Sequence, residues 1–185
     1  MYKIFVFLIF FLIQYVHASE IGNETGLEIP RFVSLKSDDS NLRVGPSINY
    51  PIIINYNVKN YPIMVVDEYD DWRKIIDFKE NTGWLHKSLI KGERFGLIVI
   101  EQNKSINIFN TIYEKIIEEI KNNNVVKIEK CKIDWCLIKK NEHAGWISKN
   151  HLWGVKQKET FNISFFQLFI DFFWKSLNTI NKLIS

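Results

Sequence analysis

Two cysteines and a handful of aromatic and polar side chains are the residues in this chain that could do chemistry. Cys131 and Cys136 flank Asp134-Trp135. Three roles are open to them: a disulfide, a zinc site completed by His143 and His151, or a thiol nucleophile paired with either histidine. The gaps do not match usual zinc-finger spacing, and two cysteines so close together in an oxidising compartment pair by default. The second set is Asn41, Arg43, Tyr50, Tyr56, Tyr69 and Trp72. Its aromatics offer flat apolar surface to a sugar ring or a peptide, with Asn41 and Arg43 supplying hydrogen bonds. Arg43 could equally anchor its own loop. The competing use of the aromatics is packing, the expected role for Trp72 and Tyr50 because buried aromatics dominate small cores. Acidic residues fall in turns such as Asp70-Asp71 and Glu118-Glu119, where carboxylates are solvated. No catalytic constellation or cofactor motif is recognisable, so the expectation is a protein that is not an enzyme and carries no cofactor and no metal.

The elements that position these residues come in two copies. Asp70-Asp71-Trp72-Arg73-Lys74-Ile75 is followed by Gly83-Trp84-Leu85-His86, and Ile133-Asp134-Trp135-Cys136-Leu137-Ile138 by Gly145-Trp146-Ile147-Ser148. A repeat of about sixty residues means two small units rather than one medium domain. In the first, Arg31–Lys36 alternates as a short strand, Asn41-Leu42-Arg43 is another, and Gly45-Pro46 forces a turn. Tyr61–Tyr69 and Trp72–Phe78 form a hairpin through Asp70-Asp71. Gly83–His86 is the last strand, and a single helical turn follows at Ser88-Leu89. The second unit starts at Phe95–Ile100, close enough to the first for the two to touch. It continues with Ile106–Phe109, a turn and strand over Ile112–Ile120, a hairpin of Val125–Cys131 with Trp135–Lys139, and a closing strand Leu152–Val155. Trp84 and Trp146, each behind a glycine, are expected to close one end of a barrel. Ser19–Pro30, rich in turn formers, is expected to be a flexible segment.

The order Asn41-Leu42-Arg43, Gly45-Pro46-Ser47, Tyr50, Trp72 and Gly83-Trp84 resembles the bacterial Src-homology-3-like (SH3-like) family. The second copy is similar through Tyr113, Trp135 and Gly145-Trp146 but lacks the Gly-Pro-Ser turn at Asn110-Thr111. The resemblance implies an all-β fold of two tandem SH3-like β-barrels, over residues 31–90 and 94–155. It also implies a role in binding cell-wall material or protein, with peptidoglycan or an envelope protein as partner.

Lys3 ahead of the apolar run Ile4–Ile13, and the small-residue exit at Ala18, reads as a signal peptide over residues 1–18. The mature chain is therefore expected in the periplasm or cell envelope, and the abundance of Ile, Lys, Asn and Phe fits an AT-rich bacterial genome, here taken as Gram-negative. A net charge of +3, from 24 basic and 21 acidic residues, is too weak for a nucleic-acid partner. Residues 161–184 read as an amphipathic helix whose apolar arc, with Phe165, Phe169, Phe172, Phe173 and Trp174, is wider than a surface helix needs. Asp171, costing about 2.5 to 3.5 kcal/mol at a bilayer centre, argues against a membrane span. Contact with the membrane surface, pairing with a partner, and packing on the barrels all stay open. The tail thus supports an alternative function, a membrane-associated scaffold.

Overall fold

The structure, a computed structural model, describes residues 20–109 and 116–164. A short hairpin of β1 (Glu20–Ile21) and β2 (Glu28–Ile29) precedes two antiparallel sheets. The first holds β3 (Arg31–Leu35), β4 (Ser40–Arg43), β5 (Ile52–Tyr56), β6 (Pro62–Tyr69), β7 (Trp72–Ile76), β8 (Thr82–His86) and β9 (Ile90–Lys91), in the order β5-β4-β8-β7-β6-β3-β9. The second holds β10 (Phe95–Ile98), β11 (Ser105–Phe109), β12 (Ile116–Lys121), β13 (Val125–Cys131), β14 (Trp135–Lys140), β15 (His143–Ser148) and β16 (Leu152–Trp153), in the order β12-β11-β15-β14-β13-β10-β16. Each position in the first sheet has its counterpart in the second, so the repeat is a duplication of topology. Bulges recur too, at Val65/Asp67 and Ile128/Lys130, and at Leu42/Arg43 and Ile108/Phe109. A 3-10 turn, Lys87–Leu89 or Lys149–His151, precedes the last strand of each sheet.

The expected all-β class holds, with one correction. The sheets are open: no ladder joins β5 to β9 or β12 to β16, so neither is a closed barrel. Each curls around its own core. Leu35, Leu42, Ile63, Val65, Ile75 and Leu85 fill the first, and Ile98, Ile108, Ile120, Ile138 and Ile147 with both cysteines fill the second. Burying such a side chain contributes about 1.5 to 3 kcal/mol.

The glycine of each Gly-Trp pair has a steric cause. A Cβ on Gly83 would stand 2.7 Å from the Arg43 carbonyl oxygen, and one on Gly145 would stand 2.9 Å from Ile108 Cβ. Strands β8 and β15 cross β4 and β11 too closely for any side chain there. Gly83→Ala is therefore expected to destabilise the protein by about 1 to 3 kcal/mol through backbone displacement, which urea unfolding measures directly.

The flexible segment expected at residues 19–30 is corrected over its described part: residues 20–30 form a hairpin and turn held in place by contacts to the first sheet. From Gly22 to Leu27 the chain turns around the carboxylate of Glu68. Glu68 Oε2 accepts from the amides of Glu24 (3.1 Å) and Thr25 (2.9 Å), and Oε1 accepts from the Thr25 hydroxyl (2.7 Å) and Arg31 Nη2 (2.6 Å). Arg73 Nε lies 3.5 Å from Oε1. This partner sits more than forty positions away in sequence, which is why local composition suggested coil.

The two sheets touch, as their short connection implied. Trp153 of β16 meets Phe32 edge-on at 5.1 Å and Phe78 at 5.9 Å, and the Phe95 amide donates to Ser34 Oγ. Arg94 places its guanidinium 5.8 Å from the Phe32 ring and 5.1 Å from Phe161. It also donates to Glu159 and the Gly154 carbonyl.

A strap follows β16. Buried Lys149 donates from Nζ to the carbonyls of Gln157 (2.9 Å) and Glu159 (2.6 Å). Phe161 exchanges both backbone hydrogen bonds with Cys131, and Asn162 Nδ2 donates to the Glu129 carbonyl. The expected helix start at residue 161 is therefore corrected: Phe161 belongs to the second sheet's packing. Residues 165–185, with Phe165, Phe169, Phe172, Phe173 and Trp174, lie outside the described residues, as do residues 1–18, where a signal peptide is expected.

Candidate functional site: an outward aromatic face

Register assigns the side chains to faces. Tyr69 stands opposite Trp72, Trp72 opposite His86, Lys74 opposite Trp84, Trp84 opposite Arg43, and Arg43 opposite Ile52. Cross-strand partners share a face, and their chain neighbours Leu42, Ile75 and Leu85 point the other way into the core. Trp84 is thus an outward residue, half-buried, edge-on to Tyr69 at 6.5 Å. The expectation that it closes a barrel end is corrected. Trp72 is on the same face and outside the core cluster, yet only 8% exposed. Its ring meets His86 edge-on at 5.4 Å. The Asp71 carboxylate beside it bonds Lys87 Nζ at 2.5 Å, which holds its pKa below the usual range.

Of the six residues the sequence singled out, register places three, Arg43, Tyr69 and Trp72, on this face. Tyr69 is 60% exposed, and Tyr50, expected to pack, is 46% exposed. Arg43 anchors the loop, donating from Nη1 to the Tyr50 carbonyl at 2.7 Å. Trp72 supports the surface from beneath. Asn41 is spent within the β4–β5 hairpin, where its Oδ1 accepts from Asn55 Nδ2 at 2.7 Å. Tyr56 is removed from the set. It is buried, its hydroxyl donates to Asp77 Oδ2 at 2.9 Å, and its ring stacks on Tyr61 at 5.8 Å. Burial first, and the Asp77 charge second, push the Tyr56 phenol up and raise Tyr61 to about 12. Sequence reasoning missed Trp84, Lys74 and His86 as surface groups. The alternation in Gly83-Trp84-Leu85-His86 carried that signal, since an inward Leu85 turns both its neighbours outward.

A family model described as a bacterial SH3 domain matches residues 36–92 and 113–154, together more than half of the 185 residues. The chain belongs to the bacterial SH3 domain family. No curated protein matches it. Among solved structures it is similar to NlpC2 from Trichomonas vaginalis, at 15% identity over 67% of this chain and 48% of that one, with a TM-score of 0.29. NlpC1 from the same organism is similar at 13% identity over 71% of this chain and 48% of that one, with a TM-score of 0.28. The chain thus spans about half the length of the solved structures it matches.

The second bacterial SH3 unit rebuilds the face with other residues. Phe109 and Leu137 stand opposite Trp146, and Ser148 opposite Trp135. Phe109 therefore replaces Arg43, Leu137 replaces Lys74 and Ser148 replaces His86. Positive charge returns from β13 and its turn, with Lys130 and Lys132 ammoniums 5.6 and 5.3 Å from the Trp146 ring. Asn110-Thr111, where the Gly-Pro-Ser turn is lost, lies outside the described residues.

Cys131 and Cys136 form a disulfide across this unit's hairpin, with Cα atoms 4.1 Å apart and both side chains fully buried. That occupies both thiols, so neither the zinc set nor the thiol nucleophile is assembled. His143 Nδ1 instead lies 3.0 Å from Glu118 Oε2. Among the described residues no group of three or more His, Cys, Asp or Glu could hold a metal, and no helix is long and apolar enough to cross a membrane.

Proposed function

We propose that this chain is an exported, non-enzymatic binding protein that recognises a cell-envelope component, peptidoglycan or an envelope protein, through the outward faces of its bacterial SH3 units. The carrying observation is that Trp84 and Tyr69 share one sheet face with Arg43 and Lys74, with exposed Tyr50 in the loop that Arg43 anchors. Aromatic rings supply flat area at little entropic cost, and the cations pair with carboxylates such as those of a peptide stem. The apolar leader at residues 4–13 supports export, and membership of the family supports an envelope partner.

Trp84→Ala leaves the core intact and is expected to weaken binding to purified sacculi, or to the envelope protein that replaces them, by about tenfold or more, because central aromatics dominate such contacts. Stability should fall by no more than about 1 kcal/mol. Equal binding by Trp84→Ala and wild type would remove this face as the site.

A further inference from the structure

From Val44 to Val58 the chain runs fifteen residues without a charged side chain. Six of them, Val44, Ile48, Tyr50, Ile52, Ile53 and Val58, are exposed large hydrophobics. The stretch forms β5 and the loops on either side of it, and β5 is an end strand whose one ladder partner is β4. Among the described residues nothing pairs with its outer edge. An apolar unpaired edge is a template for another strand, and proteins ordinarily blunt such edges with charge or by keeping them short.

The duplication provides an internal control. Strand β12 holds the same end position in the second sheet and carries Glu118, Glu119 and Lys121. The other two end strands, β9 and β16, are two residues long. Three of the four ends are therefore protected by charge or by shortness. Only β5, five residues of Ile52-Ile53-Ile54-Asn55-Tyr56, has neither protection.

We propose that the β5 edge binds a second copy of this chain, two β5 strands pairing antiparallel so that two first-unit sheets become one continuous sheet. Charge selects the occupant. A charged strand would have to desolvate its charges against Ile52 and Ile53, which disfavours β12 and most polypeptide edges. A second β5 brings no charge. Antiparallel pairing centred on Ile54 sets Ile52 opposite Tyr56 and Ile53 opposite Asn55, with the apolar loop residues Ile48, Tyr50 and Val58 flanking the seam. An isologous contact of this kind closes at two copies. Because the pairing uses the strand edge, it leaves the Trp84 face open, and the dimer carries two such faces. The inference does not depend on the envelope reading.

Light scattering and sedimentation velocity on the mature full-length chain over a micromolar range test it. The expected result is a dimer for the wild type, a loss of dimer affinity of about tenfold or more for Ile53→Lys and for Ile52→Lys, and no change for Ile116→Lys on the β12 edge. Both β5 positions are solvent-exposed, and near-ultraviolet circular dichroism checks that each variant keeps its aromatic packing. A monomeric wild type overturns the proposal. So does a dimer that survives both β5 substitutions, which would place the contact elsewhere, residues 165–185 included. Sacculus binding, measured separately, is expected to persist in Ile53→Lys at the level of a single face.

Discussion

Replacing Glu68 with alanine is expected to destabilise the protein by about 3 to 5 kcal/mol, because breaking a buried ion pair leaves the surviving charges without compensation. The Glu68 side chain is fully buried, and its carboxylate is the one acceptor shared by Arg31, Arg73 and the turn at Glu24-Thr25. Without it, Arg73 keeps its bonds to the carbonyls of Asp70 and Trp72 but loses its counter-charge. The β1–β2 hairpin loses the group around which it is wound. Chemical denaturation gives the stability change, and limited proteolysis within residues 22–27 reports the release of the hairpin. A loss under 1 kcal/mol would mean that water replaces the carboxylate at little cost.

The same group sets an acid limit. Burial alone would raise the Glu68 pKa, but hydrogen bonds from the Thr25 hydroxyl, Arg31 and the Thr25 amide outweigh it and lower the value to about 2. A carboxyl with a depressed folded-state pKa binds protons more readily when unfolded. Its contribution, about 3 kcal/mol from the size of the shift, is complete above the ordinary carboxylate pKa near 4.5 and is lost as pH falls through about 2. Glu68→Gln should remove this part of the acid dependence, which unfolding curves between pH 2 and pH 6 resolve.

The second large effect belongs to the disulfide. Converting both Cys131 and Cys136 to alanine is expected to destabilise the protein by about 3 kcal/mol. About 2 kcal/mol of this comes from opening the short loop in the unfolded chain, and the rest from two sulfurs lost from a filled core. Both sulfurs lie among Ile98, Ile120, Val126, Ile128, Ile138 and Ile147, and Phe161 of the strap bonds to Cys131. The double variant should therefore loosen the strap as well as the hairpin, seen as faster proteolysis after residue 155. In the native chain, reductant without denaturant should release no thiols, since neither side chain is accessible. Thiols that titrate in the folded, unreduced protein would reopen the nucleophile reading.

The duplication was legible because its cause is local and steric. A glycine is needed where β8 crosses β4 and again where β15 crosses β11, and the tryptophan beside each marks the position. Hairpins through Asp70-Asp71 and through Lys132–Asp134 were legible from turn residues between β-rich runs. Strand β5 is not legible, because Ile52-Ile53-Ile54 is a continuous apolar run without the alternation that marks a half-buried strand. Its end position leaves the run exposed, with only Tyr56 fully turned inward. The N-terminal hairpin was hidden because two-residue strands carry no period. What holds them is Glu68, distant in sequence. For the candidate site, aromatic type was informative and facing was not. Tyr56 and Tyr69 look alike in sequence, yet one is tied to Asp77 in the core and the other stands over Trp84. The strap also moves the boundary between folded unit and tail: a cut before Phe161 would damage the second sheet.

We propose that the SH3 units, rather than the tail, carry the binding. Parallel co-sedimentation with purified sacculi and with anionic liposomes, using the mature chain and the same chain ending at Ser164, tests it most directly. Sacculus binding of equal strength in both forms, weakened about tenfold or more in Trp84→Ala, is the predicted result. Binding to liposomes alone, abolished by removing residues 165–185, would instead make the SH3 units a spacer for a membrane-held tail.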